Sequence, residues 1–215
     1  MSPPPARAVV LLVLTLVAPL AVARPAPARA EPVVAALGDS LTAGFGVAAD
    51  EAWPARVEAR LRAEGFAYRV VNAGVSGDTS AGGLRRLPWV LRAAPEVVIV
   101  ALGANDGLRG QDPKALRENL DLIVRRLRQA GARVLLAGMR VPPNYGAAYA
   151  REFAAVFPDV ARRHGAALMP FLLDGVAADP RLNQPDGLHP TAAGHQAIAD
   201  RLWPHLRPLL RRVSE

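Results

Sequence analysis

The chain has no cysteine among its 215 residues. No disulfide framework can therefore support it, and no lipid can be attached through a thioether at its amino-terminal end. It also lacks a long uninterrupted hydrophobic run. The longest, "AVVLLVLTLVAPLAVA", is broken by Pro19 and falls short of the roughly 20 residues a membrane-spanning helix needs. There is no internal repeat and no composition shift that would mark a second folded domain. Acidic residues are outnumbered, 19 against 26 basic ones, which leaves a formal charge of +7. Three of those cations, Arg7, Arg24 and Arg29, lie in the first thirty residues, so the remainder carries +4. Its arginines are scattered along helical patterns and the tail "LRPLLRRVSE". That distribution suits a solvated face and transient contact with an anionic lipid surface, not a nucleic-acid site.

The first thirty residues have three parts: "MSPPPAR", the apolar run, and "RPAPARA" with small residues at its end. A positive start, an apolar stretch and a small-x-small close make a secretory signal. We place the cut after Ala30, so residues 1–30 are expected to be a signal peptide and the mature chain to be periplasmic or secreted. The competing reading is an uncleaved anchor. The 185 residues that follow are enough to bury a core without covalent staples.

From Glu31 onward, apolar runs rich in β-branched residues alternate with helical spacing. The runs are "VVAAL" at 33–37, "YRVVNA" at 68–73, "EVVIVAL" at 96–102, "RVLLAGM" at 133–139 and "AALMPFL" at 166–172. Between them, apolar residues recur at helical intervals: Trp53, Val57 and Leu61; Leu84, Leu87 and Leu91; Leu116, Leu120, Ile123 and Leu127; Phe153, Val156, Phe157 and Val160. Asp112-Pro113 starts one helix, because aspartate accepts from orphan amides and proline loses nothing at the first helical position. Thr191 caps a last helix carrying Ile198, Leu202 and Leu206. Five such units predict an α/β fold, a three-layer sandwich with a five-stranded parallel sheet over residues 31–215.

In such a sheet function gathers beyond the carboxyl ends of the strands. The first strand ends in "GDS" at 38–40, the second in "NAGVSGDT" at 72–79 and the third in "GAND" at 103–106, while "DGLHP" at 186–190 follows the fifth. Ser40 is the candidate nucleophile, and a serine hydroxyl needs a base. His189 supplies one, with Asp186 three residues earlier to orient it on a loop stiffened by Pro185 and Pro190. His164, His195 and His205 fall in helical stretches and are read as structural. For the oxyanion, the candidate donors are the amides of Ser40 and Gly74 and the side chain of Asn105. Each block alone has a plainer reading: a helix cap at Asp39 or Ser40, a turn at Gly74, an Asx-turn at Asn105, a surface residue at His189. Leu108, Val141, Pro142 and Tyr145 lie past strand ends, placed either to wall an acyl pocket or to pack beneath a loop.

Together the four blocks resemble the SGNH, or GDSL, hydrolase superfamily, whose name records Ser, Gly, Asn and His blocks in this order. The further stretches "AWPARV", "GANDGLRG", "RVPPNYG" and "DGLHPTAAGH" make the chain similar to its thioesterase/lysophospholipase/arylesterase group. The resemblance implies a flavodoxin-like fold. It also implies nucleophile Ser40, the pair Asp186/His189, oxyanion donors Ser40, Gly74 and Asn105, and a site more open than the G-x-S-x-G elbow. The sequence lacks that elbow, since Thr42 stands where its second glycine would be. Ala104 departs from members with a second glycine beside the asparagine.

The expected activity is hydrolysis of carboxylic esters and thioesters through an acyl-enzyme, by a monomer without metal or organic cofactor, on small-molecule or lipid esters. A short-acyl or carbohydrate deacetylase is the alternative within the superfamily. A metal-dependent hydrolase built on Asp39, Asp106, Asp186 and His189, or an exported ligand-binding module, are the alternatives outside it.

Overall fold

Continuous apolar strands demand cover on both faces, and the helices supply it. In the computed structural model, which describes Met1, Ser2 and residues 31–212, five parallel strands form one sheet. Apart from Met1 and Ser2, the expected signal segment lies outside the described residues. The strands are β1 (Val33–Gly38), β2 (Arg69–Gly74), β3 (Val97–Ala101), β4 (Arg133–Ala137) and β5 (Ala167–Met169), in the order β2-β1-β3-β4-β5. Every residue of β1 and β3 is buried, as expected of strands covered on both sides.

Among the described residues, seven α-helices connect and cover the sheet: α1 (Ser40–Ala43), α2 (Trp53–Ala63), α3 (Ser80–Leu91), α4 (Ala104–Leu108), α5 (Pro113–Gln129), α6 (Ala147–His164) and α7 (Ala192–Leu206). α2 packs with α7 on one side, while α5 packs with both α3 and α6 on the other. The described residues from 31 to 212 form one compact unit. The two expected caps are present: Asp112 accepts from the Lys114 amide at 2.8 Å with Pro113 at the first helical position, and Thr191 accepts from Gly194 at 3.3 Å. Among the described residues, no helix is long and apolar enough to cross a membrane.

The fifth strand is shorter than its apolar run, ending at Met169 instead of Leu172. It is an edge strand, and Pro170 brings no amide to continue the ladder. Gly138 then bonds to both sides of the exit, its amide donating to the Met169 carbonyl and its carbonyl accepting from the Leu172 amide. This turns the chain after β5 over the carboxyl end of the sheet, where the long loop to α7 begins. The strand order reverses direction between β1 and β3. The crevice outside their carboxyl ends is the topological switch point at which such sheets bind ligands.

Candidate active site

Ser40 is the first residue of α1, directly beyond β1, and Asn105 lies in α4, directly beyond β3. They therefore flank the switch point from neighbouring strands. The loop carrying His189 comes from the far side of the sheet and is tied down by Gln184. Its Nε2 donates to the carbonyls of Phe45 (2.7 Å) and Pro190 (2.9 Å), and its amide donates to the His189 carbonyl at 2.7 Å. Gln184 thus fastens the histidine loop to the turn after α1. Sequence patterning did not single it out, since a glutamine in a loop has no recognisable spacing.

This fastening closes a hydrogen-bonded chain. Ser40 Oγ lies 3.0 Å from His189 Nε2, and His189 Nδ1 lies 2.7 Å from Asp186 Oδ2. Asp186 Oδ1 accepts from the amides of Leu188 (2.9 Å) and His189 (3.0 Å). These amides, with the imidazole, hold the Asp186 carboxyl down at about 2. It is therefore an anion that can only accept, so Nδ1 carries the imidazole proton and Nε2 is left to accept from Ser40. The Phe45 ring, centred 4.6 Å from the imidazole, packs beside it. Two of the other three histidines are held elsewhere: His164 Nε2 lies 2.9 Å from Asp121, and buried His195 accepts the Trp53 amide at 3.3 Å through Nδ1.

Asn105 Nδ2 donates to the Asp78 carbonyl at 2.9 Å and approaches Asp39 Oδ2 at 3.4 Å. Its neighbour Asp106 is buried and receives both the amide (2.8 Å) and the hydroxyl (2.5 Å) of Ser80, while Asn119 donates to that hydroxyl at 2.9 Å. α4 is thereby pinned to α3 and α5.

Gly74 is placed otherwise than the sequence suggested. Its amide already donates to Asn72 Oδ1 at 2.9 Å, and a Cβ there would come within 2.2 Å of the Ala43 backbone nitrogen. The missing side chain lets β2 pass close beneath α1. The amide with the better claim belongs to Gly77, whose φ of +80° suits glycine. The Gly77 and Ser40 amides have no acceptor among the described residues, and Gly77 immediately precedes the Asp78 that Asn105 touches. Arg86, another residue that patterning missed, sets this corner. It donates to the carbonyls of Gly38 and Ala73, both at 2.6 Å, and to Asp78 Oδ2 at 2.5 Å. One guanidinium thus joins the ends of β1 and β2 to the loop bearing Gly77.

A cleft of about 560 Å³ opens beside Ser40 and His189. Of the four predicted pocket residues, Leu108, Val141 and Pro142 line it. Tyr145 does not; its hydroxyl donates to the Leu108 carbonyl at 2.8 Å and braces the wall from outside. Leu173, Leu188, Arg140 and Phe171 also line it. These last four follow β4 and β5, and no sequence spacing linked them to Ser40.

Asp39 does not join the other carboxylates in a metal-binding array. Among the described residues no three His, Asp or Glu side chains gather in that way. Asp39 is buried and accepts from the Leu41 amide at 3.0 Å; burial nevertheless pushes its carboxyl up to about 7. Burial also pushes His195 down to about 4. These shifts act oppositely on stability. Asp39 holds a proton that the unfolded chain has released, so its contribution falls as pH rises from about 4 to about 7. His195 refuses a proton that the unfolded chain takes, so its contribution falls as pH drops from about 6.5 to about 4. Removing one exposes the other. In Asp39→Asn, the melting temperature is expected to rise more steeply than in wild type from about pH 4 to about pH 6.5. Equal pH slopes in both proteins, measured by thermal denaturation, would contradict the burial argument.

The chain is similar in sequence and fold to known proteins. The model of the GDSL-like Lipase/Acylhydrolase family matches residues 36–197, a span that includes every residue of the Ser40–His189–Asp186 chain. The chain is 46% identical over 175 residues to the esterase TesA of Pseudomonas aeruginosa, covering 81% of this chain and 87% of that protein. It is 40% identical over 179 residues to the thioesterase 1/protease 1/lysophospholipase L1 of Escherichia coli K12, covering 83% and 85%. A crystal structure of TesA superimposes with a TM-score of 0.80 at 45% identity, over 83% of this chain and 99% of that one. Sequence and fold agree: this chain belongs to the GDSL-like lipase/acylhydrolase family and is a serine ester hydrolase.

Proposed function

We propose that the protein hydrolyses carboxylic esters and thioesters of medium-length acyl chains through an acyl-enzyme on Ser40. The observation that carries this reading is the hydrogen-bonded chain from Ser40 Oγ through His189 to Asp186 at the mouth of an apolar cleft. His189 Nε2 takes the Ser40 proton as Oγ attacks the acyl carbon. The carbonyl π electrons move to oxygen. The Ser40 and Gly77 amides and one Nδ2–H of Asn105 receive that negative charge. Nε2 then returns the proton to the departing alkoxide or thiolate as its bond to carbon breaks. Water repeats the sequence on the acyl-enzyme, giving its proton to Nε2 and releasing the acid as Ser40 recovers its own.

Thioesters and lysophospholipids enter the reading through the names of the relatives, and the cleft supports the acyl part. Its lining of Leu108, Val141, Pro142, Leu173 and Leu188 favours a hydrocarbon chain over an acetyl group. The reading needs neither metal nor organic cofactor, and takes the protein to act as a monomer that meets lipid surfaces transiently. Residues 1–30 extend it to an exported enzyme, supported by their three-part pattern.

Chain length provides the test. Each buried methylene contributes about 0.8 kcal/mol, or about fourfold in kcat/KM, until the cleft is full. With p-nitrophenyl esters and matched acyl thioesters, kcat/KM is expected to climb from acetyl to a medium-length optimum and then level or fall. A sharp preference for acetyl would instead favour the deacetylase.

A further inference from the structure

The cleft that opens on Ser40 is lined by one permanent charge. Arg140 follows β4, two strands from β1 in the sheet, and lines the same cleft as Ser40. No aspartate or glutamate lines the cleft with it. Arg60, Arg86, Arg117, Arg133 and Arg163 each meet a carboxylate. Arg140 has no carboxylate partner and makes no hydrogen bond among the described residues. Its guanidinium rests instead over the Phe171 ring, 5.0 Å from the centroid, and Phe171 also lines the cleft.

Arg140 is exposed, so its charge stays accessible to solute, and a planar guanidinium propped on an aromatic face is oriented to receive two oxygens of one anion. We propose that Arg140 is an anion subsite, selecting esters that carry a phosphate or carboxylate a short distance from the scissile carbonyl. The inference rests on the serine-hydrolase reading and adds to it a substrate chemistry. An apolar cleft alone would accept any chain that fits; a single fixed cation within it distinguishes amphiphiles by charge and fixes how they lie. The anion can be carried on either side of the ester, on the alcohol part or at the far end of the acyl chain. The oxygen chemistry recognised is the same in both cases.

Two substrate pairs separate these sources. The first is monooctanoylglycerol against its glycerol-phosphate analogue, with the charge on the alcohol. The second is p-nitrophenyl octanoate against the mono-p-nitrophenyl ester of suberic acid, with the charge on the acyl end. All are assayed below their aggregation concentrations with wild type, Arg140→Gln and Arg140→Lys. In at least one pair, Arg140→Gln is expected to lower kcat/KM for the charged member about tenfold while leaving the neutral member within about twofold. Arg140→Lys should restore part of the loss, and added salt should shrink the difference between wild type and Arg140→Gln. The pair that responds identifies the source of the anion.

Equal losses on charged and neutral members would make Arg140 merely structural, and no loss in either pair would leave it a solvated cation; both overturn the proposal. Binding of octyl phosphate, followed by calorimetry against neutral octanediol, reads the same subsite without turnover. Its Kd should rise about tenfold in Arg140→Gln with that of the diol unchanged. An unchanged Kd for octyl phosphate overturns the subsite. Failure of wild type to hydrolyse even the neutral esters overturns the hydrolase reading instead, and the binding measurement keeps the two failures apart.

Discussion

Ser40→Ala is expected to lower kcat for a p-nitrophenyl ester by a factor on the order of 10⁴ to 10⁶, because nucleophile and base act as one unit. The substitution removes one atom, Oγ, which lies 3.0 Å from His189 Nε2. It leaves the local fold intact. The cap of α1 is supplied by the Asp39 carboxylate through the Leu41 amide, not by Ser40, and Gly44 closes that helix in the left-handed conformation at φ +82°. The melting temperature should therefore stay close to that of wild type while covalent labelling by a fluorophosphonate disappears. The same assay in EDTA separates the competing chemistry: a metal-dependent hydrolase loses activity to the chelator and keeps a large part of it in Ser40→Ala. Residual turnover above about a hundredth of wild type in the variant would exceed what the oxyanion donors alone can sustain, and would remove Ser40 from the mechanism.

How far such a site is legible in a sequence depends on which contacts are local. The strands were readable because β1 and β3 are buried on both faces and so are apolar without interruption. Asp186 and His189 were readable because they stand three positions apart on one loop, and Ser40 because it follows a strand directly. Gly74 and Gly77 show the limit. They stand in the same short block, and both look free to present an amide. Only the approach of Ala43, 31 residues earlier in the chain, shows that Gly74 is glycine for packing. Arg86 was illegible for the same reason, since two of its acceptors are strand-end carbonyls, one of them 48 residues away. A side chain that bonds to backbone leaves no complementary residue type for a pattern to find. Tyr145 was placed in the pocket from its position past β4, yet its hydroxyl turns to the Leu108 carbonyl. The sequence carries which loop a residue belongs to but not the rotamer it adopts.

The Asp39 shift belongs with these. Its neighbour Ser40 is only half buried, so nothing about the pair in sequence separates a solvated acid from a buried one. The position of β1 between β2 and β3 does, because it draws the residue after the strand into the sheet's covered end. The acid beside the nucleophile is thus raised by burial while the acid beside the base is lowered by amides. Two carboxyls of one site are separated by environment alone.

That separation assigns Asp186 a task that a second substitution can isolate. Asp186→Asn is expected to lower kcat by about 10⁴-fold with little change in KM. An asparagine can keep its Oδ1 on the amides of Leu188 and His189, so the loop retains its turn. What then faces His189 Nδ1 is an NH₂ group, which can only donate. The imidazole answers by moving its proton to Nε2, where it points at Ser40 Oγ and no acceptor is left for the serine proton. Aspartate avoids this only while ionised. With its carboxyl held at about 2, loss of that ionisation lies well below the range in which the enzyme would be assayed, so the wild-type rate should show no acid limb attributable to Asp186 above about pH 4. The contribution of the charged carboxyl to folding has the same sign, being present above the ordinary carboxyl range and lost as pH falls through about 2. Asp186→Ala separates orientation from tautomer. It removes the wrong donor along with the right acceptor, leaving the ring free to present either nitrogen, so it should retain more activity than Asp186→Asn if the tautomer is the larger part of the effect. The reverse order would mean that the Asp186 carboxylate acts chiefly by holding the ring in place.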